Sequence, residues 1–113
     1  MSLTKFGNIL SAMGNVFANT VLITISDVSS ELKGLIETQL GSTVQWSTVR
    51  AAIITCESND CRIAFGVAAS GTVGHVLAAD QSIRIPSNSL VQAARVINKT
   101  AGSNAVIQVT LEG

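Results

Sequence analysis

From Val44 onward the chain is a succession of short β-branched runs, each closed by a turn: "VQWSTVRAAIITC", "CRIAFG", "HVLAA", "QSIRIP", "QAARVIN" and "NAVIQVTL". An earlier run, "TVLITIS" (Thr20 to Ser26), has the same character. Val, Ile and Thr suit a pleated, half-buried surface, and the breaks at "ESND", "PSNS" and "KTAGSN" carry turn residues and leave no room for crossover helices. Short strands joined by turns form antiparallel sheets, each of which buries one face. The expected fold class is therefore mainly β: a small antiparallel β-sandwich or jelly-roll-like domain over residues 20–113, with one or two short helices in the N-terminal third.

Period-two alternation assigns the faces. With Glu57 to Asp60 as a four-residue hairpin loop, Cys56 pairs with Cys61 and Ile54 with Ile63. That register puts Ile54, Cys56, Cys61, Ile63 and Phe65 on the inner face and Thr55 and Arg62 on the outer one. By the same rule Ile83 and Ile85 point inward and Arg84 outward, while Ala105, Ile107, Val109 and Leu111 share the core side of the last strand.

Two helical patterns lie nearer the start. "SDVSSELKGLIETQLGS" offers Asp27 or Ser29 as N-cap, an apolar stripe of Val28, Leu32, Leu35, Ile36 and Leu40, and Gly41 as a stop. Its Glu31 and Glu37, six residues apart, point in different directions around a helix and read as solvated charges. Earlier, "KFGNILSAMGNVFANT" sets Phe6, Ile9, Leu10, Met13, Val16 and Phe17 at helical spacing. Gly7 and Gly14 weaken that helix by up to about 1 kcal/mol each relative to Ala. Residues 1–19 thus read as a helical segment or as an arm that orders on a partner. The ends "MSL" and "EG" read as expression-vector remnants.

Composition speaks to association. Charged residues are 12% of the 113, against about 25% in ordinary soluble domains. A surface this poor in charge fits one that neighbouring copies partly cover. The seven cationic side chains balance seven acidic ones and are scattered along the chain, which argues against nucleic-acid binding. Neither an apolar run of membrane-spanning length nor a signal-peptide pattern occurs, so no membrane insertion is expected.

The candidate chemistry is sparse. Cys56 and Cys61 form a disulfide, half of a metal site, or a pair of buried thiols. A zinc site needs four ligands, and one histidine with scattered carboxylates does not supply the rest. The thiol pair fits a protein kept in a reducing compartment. His75, the only histidine, would serve a hydrolase only with a nucleophile and an orienting acid around it. Ser70, Ser82 and Asp80 are near in sequence, but no G-x-S-x-G elbow occurs. Nor does a Lys-Ser/Thr follow "GTVG" to make a phosphate loop. His75 reads instead as a loop or interface residue, beside an interface stripe of Phe6, Ile9, Leu10, Met13 and Phe17. No catalytic, metal or cofactor residue is assigned, and no cofactor is expected. "NKT" at Asn98 to Thr100 matches a glycosylation sequon. Trp46 with Arg50 offers a sugar-stacking platform, or Trp46 is a half-buried core residue; the first alternative would make the chain a glycan-binding module for cell-surface carbohydrate.

The stretch from "VRAAIITCESNDCRIAFG" through "SGTVGHVLAADQSIRIPSNSLVQAARVINKTAGSNAVIQVTLE" resembles a group of small, mostly uncharacterised phage and prophage proteins that are virion-associated. The shared layout is a strand at Arg50 to Ile54, a strand at Arg62 to Gly66, G-H-x-L at Gly74 to Leu77, a strand at Ser82 to Ile85, R-x-I at Arg95 to Ile97, and a terminal strand at Ala105 to Thr110. This chain has Asp80 where the group often has a glycine, and its loop before Gly74 is shorter and lacks proline. The resemblance implies a non-enzymatic β-sandwich subunit of the phage particle: a decoration, head-fibre or tail-associated component. Such a subunit would be made in the bacterial cytoplasm and placed in the virion, as a trimer or another cyclic homo-oligomer, against other virion proteins.

Overall fold

The computed structural model describes residues 20–41 and 44–113. The β-branched runs become β1 (Thr20–Thr24), β2 (Ser30–Glu31), β3 (Ala51–Ser58), β4 (Cys61–Phe65), β5 (His75–Leu77), β6 (Ser82–Ile85), β7 (Ala94–Asn98) and β8 (Val106–Glu112), with helices α1 (Leu32–Leu40) and α2 (Asn88–Ala93). They make two four-stranded sheets, ordered β1-β8-β3-β6 and β2-β7-β4-β5. Every pairing is antiparallel. The mainly β, antiparallel expectation holds. The stripe of Phe6, Ile9, Leu10, Met13 and Phe17 lies outside the described residues.

The sheets share one apolar core. Alternation along β8 buries Ile107, Val109 and Leu111, and Ala105 just before it, as the pattern predicts. Ala52, Ile54 and Cys56 of β3 meet them from the same sheet, and Cys61, Ile63, Leu77, Ala94 and Val96 come from the other. Each fully buried Ile, Leu or Val contributes about 1.5–3 kcal/mol, so this two-sided core outweighs any single polar contact in the molecule.

The expected Cys56–Cys61 hairpin does not form. β3 pairs with β6 and β8, whereas β4 pairs with β5 and β7, so Asn59 and Asp60 carry the chain from one sheet to the other. A left-handed Asn59 (φ 58°) makes this corner, after a register break between Cys56 and Ser58. The inner-face assignment survives nonetheless, because alternation is the same whether a turn joins two strands of one sheet or strands of two different sheets. Glu112, set aside in the sequence reading, is the last residue of β8, and its carboxylate accepts from Arg84 Nε at 3.0 Å.

Three further boundaries move. The "VQWSTVR" half of the long run is not strand; Trp46–Thr48 form a 3₁₀ turn and β3 begins at Ala51. α1 begins later than its cap residues suggest, because Ser30 and Glu31 first pair with Val96 and Arg95. Neither Asp27 nor Ser29 caps it; the Ser29 hydroxyl accepts from the Ala69 amide instead, at 3.0 Å. Leu32 and Ile36 are fully buried, Val28 stands 70% exposed outside the helix, and Gly41 ends it with φ 72°. Finally, "PSNSLVQAA" is not a turn leading into strand but α2, so the second described helix lies outside the N-terminal third. Ser87 caps it by accepting from the Leu90 amide, and Asn88 Nδ2 donates to the carbonyls of Trp46 and Val49 at 2.6 and 2.8 Å.

Candidate functional site

The two sheets are flanked differently. On one side α1 packs against β1, β7 and α2. On the other side lie the edge strands β5 and β6, which are not paired with each other. They are tied at one end only: the Asp80 amide donates to the Cys56 carbonyl at 2.7 Å, and the Cys56 amide donates to the Gln81 carbonyl at 2.9 Å. Asp80 takes a left-handed φ of 69° to make this corner.

Away from that corner the strands leave a cleft of about 320 Å³. Its floor is Ile63, Leu77 and Ile85, all essentially buried, and its walls are the half-buried Phe65 and Ile83. At the mouth stand Pro86, Leu90 at 38% exposure, and an exposed His75. His75 is registered against Ile63 and so faces the cleft, while Leu77, registered against Cys61, lies deeper in it. Gly74 allows β5 this close approach. Its φ is 130°, and a Cβ there would lie 3.0 Å from Arg62 Cβ and 3.3 Å from the Ile63 carbonyl oxygen.

Among the described residues no hydroxyl, thiol or carboxylate hydrogen-bonds the His75 imidazole, and no three His, Cys, Asp or Glu side chains gather where they could hold a metal ion. The mostly apolar lining of the cleft is suited to receiving apolar side chains. Sequence reasoning gives His75 as a loop or interface residue and Phe65 and Ile83 as inward-facing, but does not single out Leu90. A signal for Leu90 is present, since Ser87 followed by "NSLV" is a capped helical turn that exposes its first apolar residue.

The other candidate residues are dispersed. Cys56 and Cys61 are free, fully buried thiols. Cys56 Sγ donates to the Asn59 carbonyl at 2.8 Å. Burial pushes the Cys61 thiol up to about 12, with the neighbouring Cys56 adding to the shift, and burial likewise raises Cys56. Since the thiolate is the reactive form, both are inert core groups at neutral pH. Trp46 is half-buried against the core, its Nε1 donates to Glu37 at 3.0 Å, and the Lys33 ammonium lies 5.6 Å from its ring centre. Asn98, the sequon residue, is 4% exposed. Its Nδ2 donates to Asp27 and Asn104 at 2.8 Å each, and its Oδ1 accepts from the Ala105 amide at 2.9 Å. Its amide is thus committed to the fold. No helix among the described residues is long and apolar enough to cross a membrane.

Compared with protein-family models, with curated proteins and with solved structures, the chain matches none.

Proposed function

We propose that the two sheets pack face to face as a β-sandwich and that the chain is a non-enzymatic structural subunit of a phage or prophage particle, acting through self-assembly and contacts with other virion proteins. The observation that carries this reading is the apolar cleft, left open between two unpaired edge strands on a chain with only 12% charged residues. Unpaired edges flanking an apolar opening invite a protein partner, and natural monomers usually guard such edges with charge. Among the described residues one guard is present, the Arg84–Glu112 ion pair beside β6, and no ion pair lies at β5. The likeness to virion-associated proteins in the G-H-x-L and "SIRI" segments supplies the particle.

Multi-angle light scattering on the full chain tests the first half: a defined multimer is expected, and a monomer at every concentration overturns it. Banding of induced host lysates on a density gradient tests the second. The chain is expected to travel with the particles, and its confinement to the soluble fraction overturns the virion assignment.

A further inference from the structure

The cleft has a donor to match it in the same sequence. Nineteen residues precede Thr20, and within them Phe6, Ile9, Leu10, Met13 and Phe17 form a stripe with a single charged residue, Lys5, beside it. The place where this segment joins the fold matters. Thr20 is registered against Thr110, Thr110 against Ile53, and Ile53 against Arg84. The arm therefore leaves β1 at the same level along the sheet as the cleft, but from the opposite edge, three strand spacings or about 14 Å away.

Donor and acceptor on opposite edges of one sheet make a heterologous, head-to-tail contact, which generates rings when the rotation closes. A helix from Phe6 to Phe17 is about 18 Å long, and the whole segment extended reaches about 60 Å, so it spans to a neighbour placed edge to edge. The cleft offers no charged group that would require one in return: Arg84 is already held by Glu112 at 3.0 and 3.2 Å.

We infer that the β5–β6 cleft is the receiving site for the N-terminal segment of a second copy of this chain, whose Phe and Leu side chains fill it over Ile63, Ile85 and Leu90. This rests on the self-assembly reading and specifies its contact.

Complementation between full-length variants tests it. A donor variant carries Phe6→Asp and Leu10→Asp; an acceptor variant carries Leu90→Asp, with His75→Asp as a second acceptor variant should the first lose its thermal transition. Each alone is expected to scatter as one chain of 11.7 kDa. An equimolar mixture, at a total concentration tenfold above that at which the wild type is assembled, is expected to give a species of twice that mass and none larger. The donor variant retains an intact cleft and the acceptor variant an intact arm, so only one productive contact forms. Wild-type mass in either folded variant overturns the proposal while leaving self-assembly standing. A mixture that stays at one-chain mass also overturns it, because the arm then serves its own cleft or neither. A monomeric wild type instead removes the self-assembly reading itself.

Discussion

Asp27 shows how one side chain leaves the role its position suggests. Sitting before an amphipathic run, it reads as a helix cap; in the fold its carboxylate accepts from Asn98 Nδ2 at 2.8 Å and from the Gly102 amide at 3.1 Å. The Asn98 bond, then the Gly102 bond, holds its carboxyl below the usual carboxylate range. Because the folded value is depressed, the stabilisation is complete above the unfolded value of about 4 and is lost as pH falls through the folded one. The melting temperature of the wild type is expected to drop as pH falls from about 5 to about 2.5. Asp27→Asn is expected to melt lower at neutral pH and to decline less steeply in acid, as measured by circular dichroism. A parallel decline in the two proteins would count against the assignment. Nothing in "SDVSSE" announces this, since the partners Asn98 and Gly102 lie 71 and 75 residues away.

At the scale of elements, the short β5 depends on one glycine. Its three residues pair with β4 alone, through Cys61, Arg62 and Ile63. Gly74 delivers the chain to that pairing with its Cα against Arg62 and Ile63. Gly74→Ala combines a left-handed φ with a 3.0 Å clash and is expected to cost about 1–3 kcal/mol. Thermal denaturation reads the total, and hydrogen exchange is expected to show the loss at the β5 amides first; unchanged protection there would contradict the account. What was legible at this scale follows from the range of the signal. Alternation is local, so the inward residues Ile54, Cys56, Cys61 and Ile63 were readable from "IITC" and "CRI". The partner of each strand is a tertiary choice, and "ESND" carries turn residues for a hairpin and for a corner between sheets alike. α2 escaped for a related reason: six residues are too few to establish a helical period. The cleft itself was only half legible, because "GHVLAADQSIRIP" holds both of its edge strands but not the fact that they part company between two sheets.

For the whole molecule, the self-assembly proposed above would rest on the apolar lining of the cleft. Contacts between apolar groups respond little to ionic screening, whereas assembly through complementary charges weakens as salt is added. The mass of the proposed multimer is therefore expected to be unchanged between about 0.05 M and about 0.5 M sodium chloride, checked by light scattering; dissociation at the higher salt would point to charged contacts instead. The sheet order carries one more consequence. β8 lies between β1 and β3 and joins them: Thr20 pairs with Thr110 and Ile53 with the same residue, while β3 has β6 on its other side. During synthesis the first sheet accordingly has no centre until residues 106–112 have left the ribosome. β1 and β3 emerge with their apolar faces unmatched, and closure of distant segments of this kind is slow compared with local pairing. Until then β1 has no partner at all and β3 has only β6, so the core between them becomes complete with the arrival of β8.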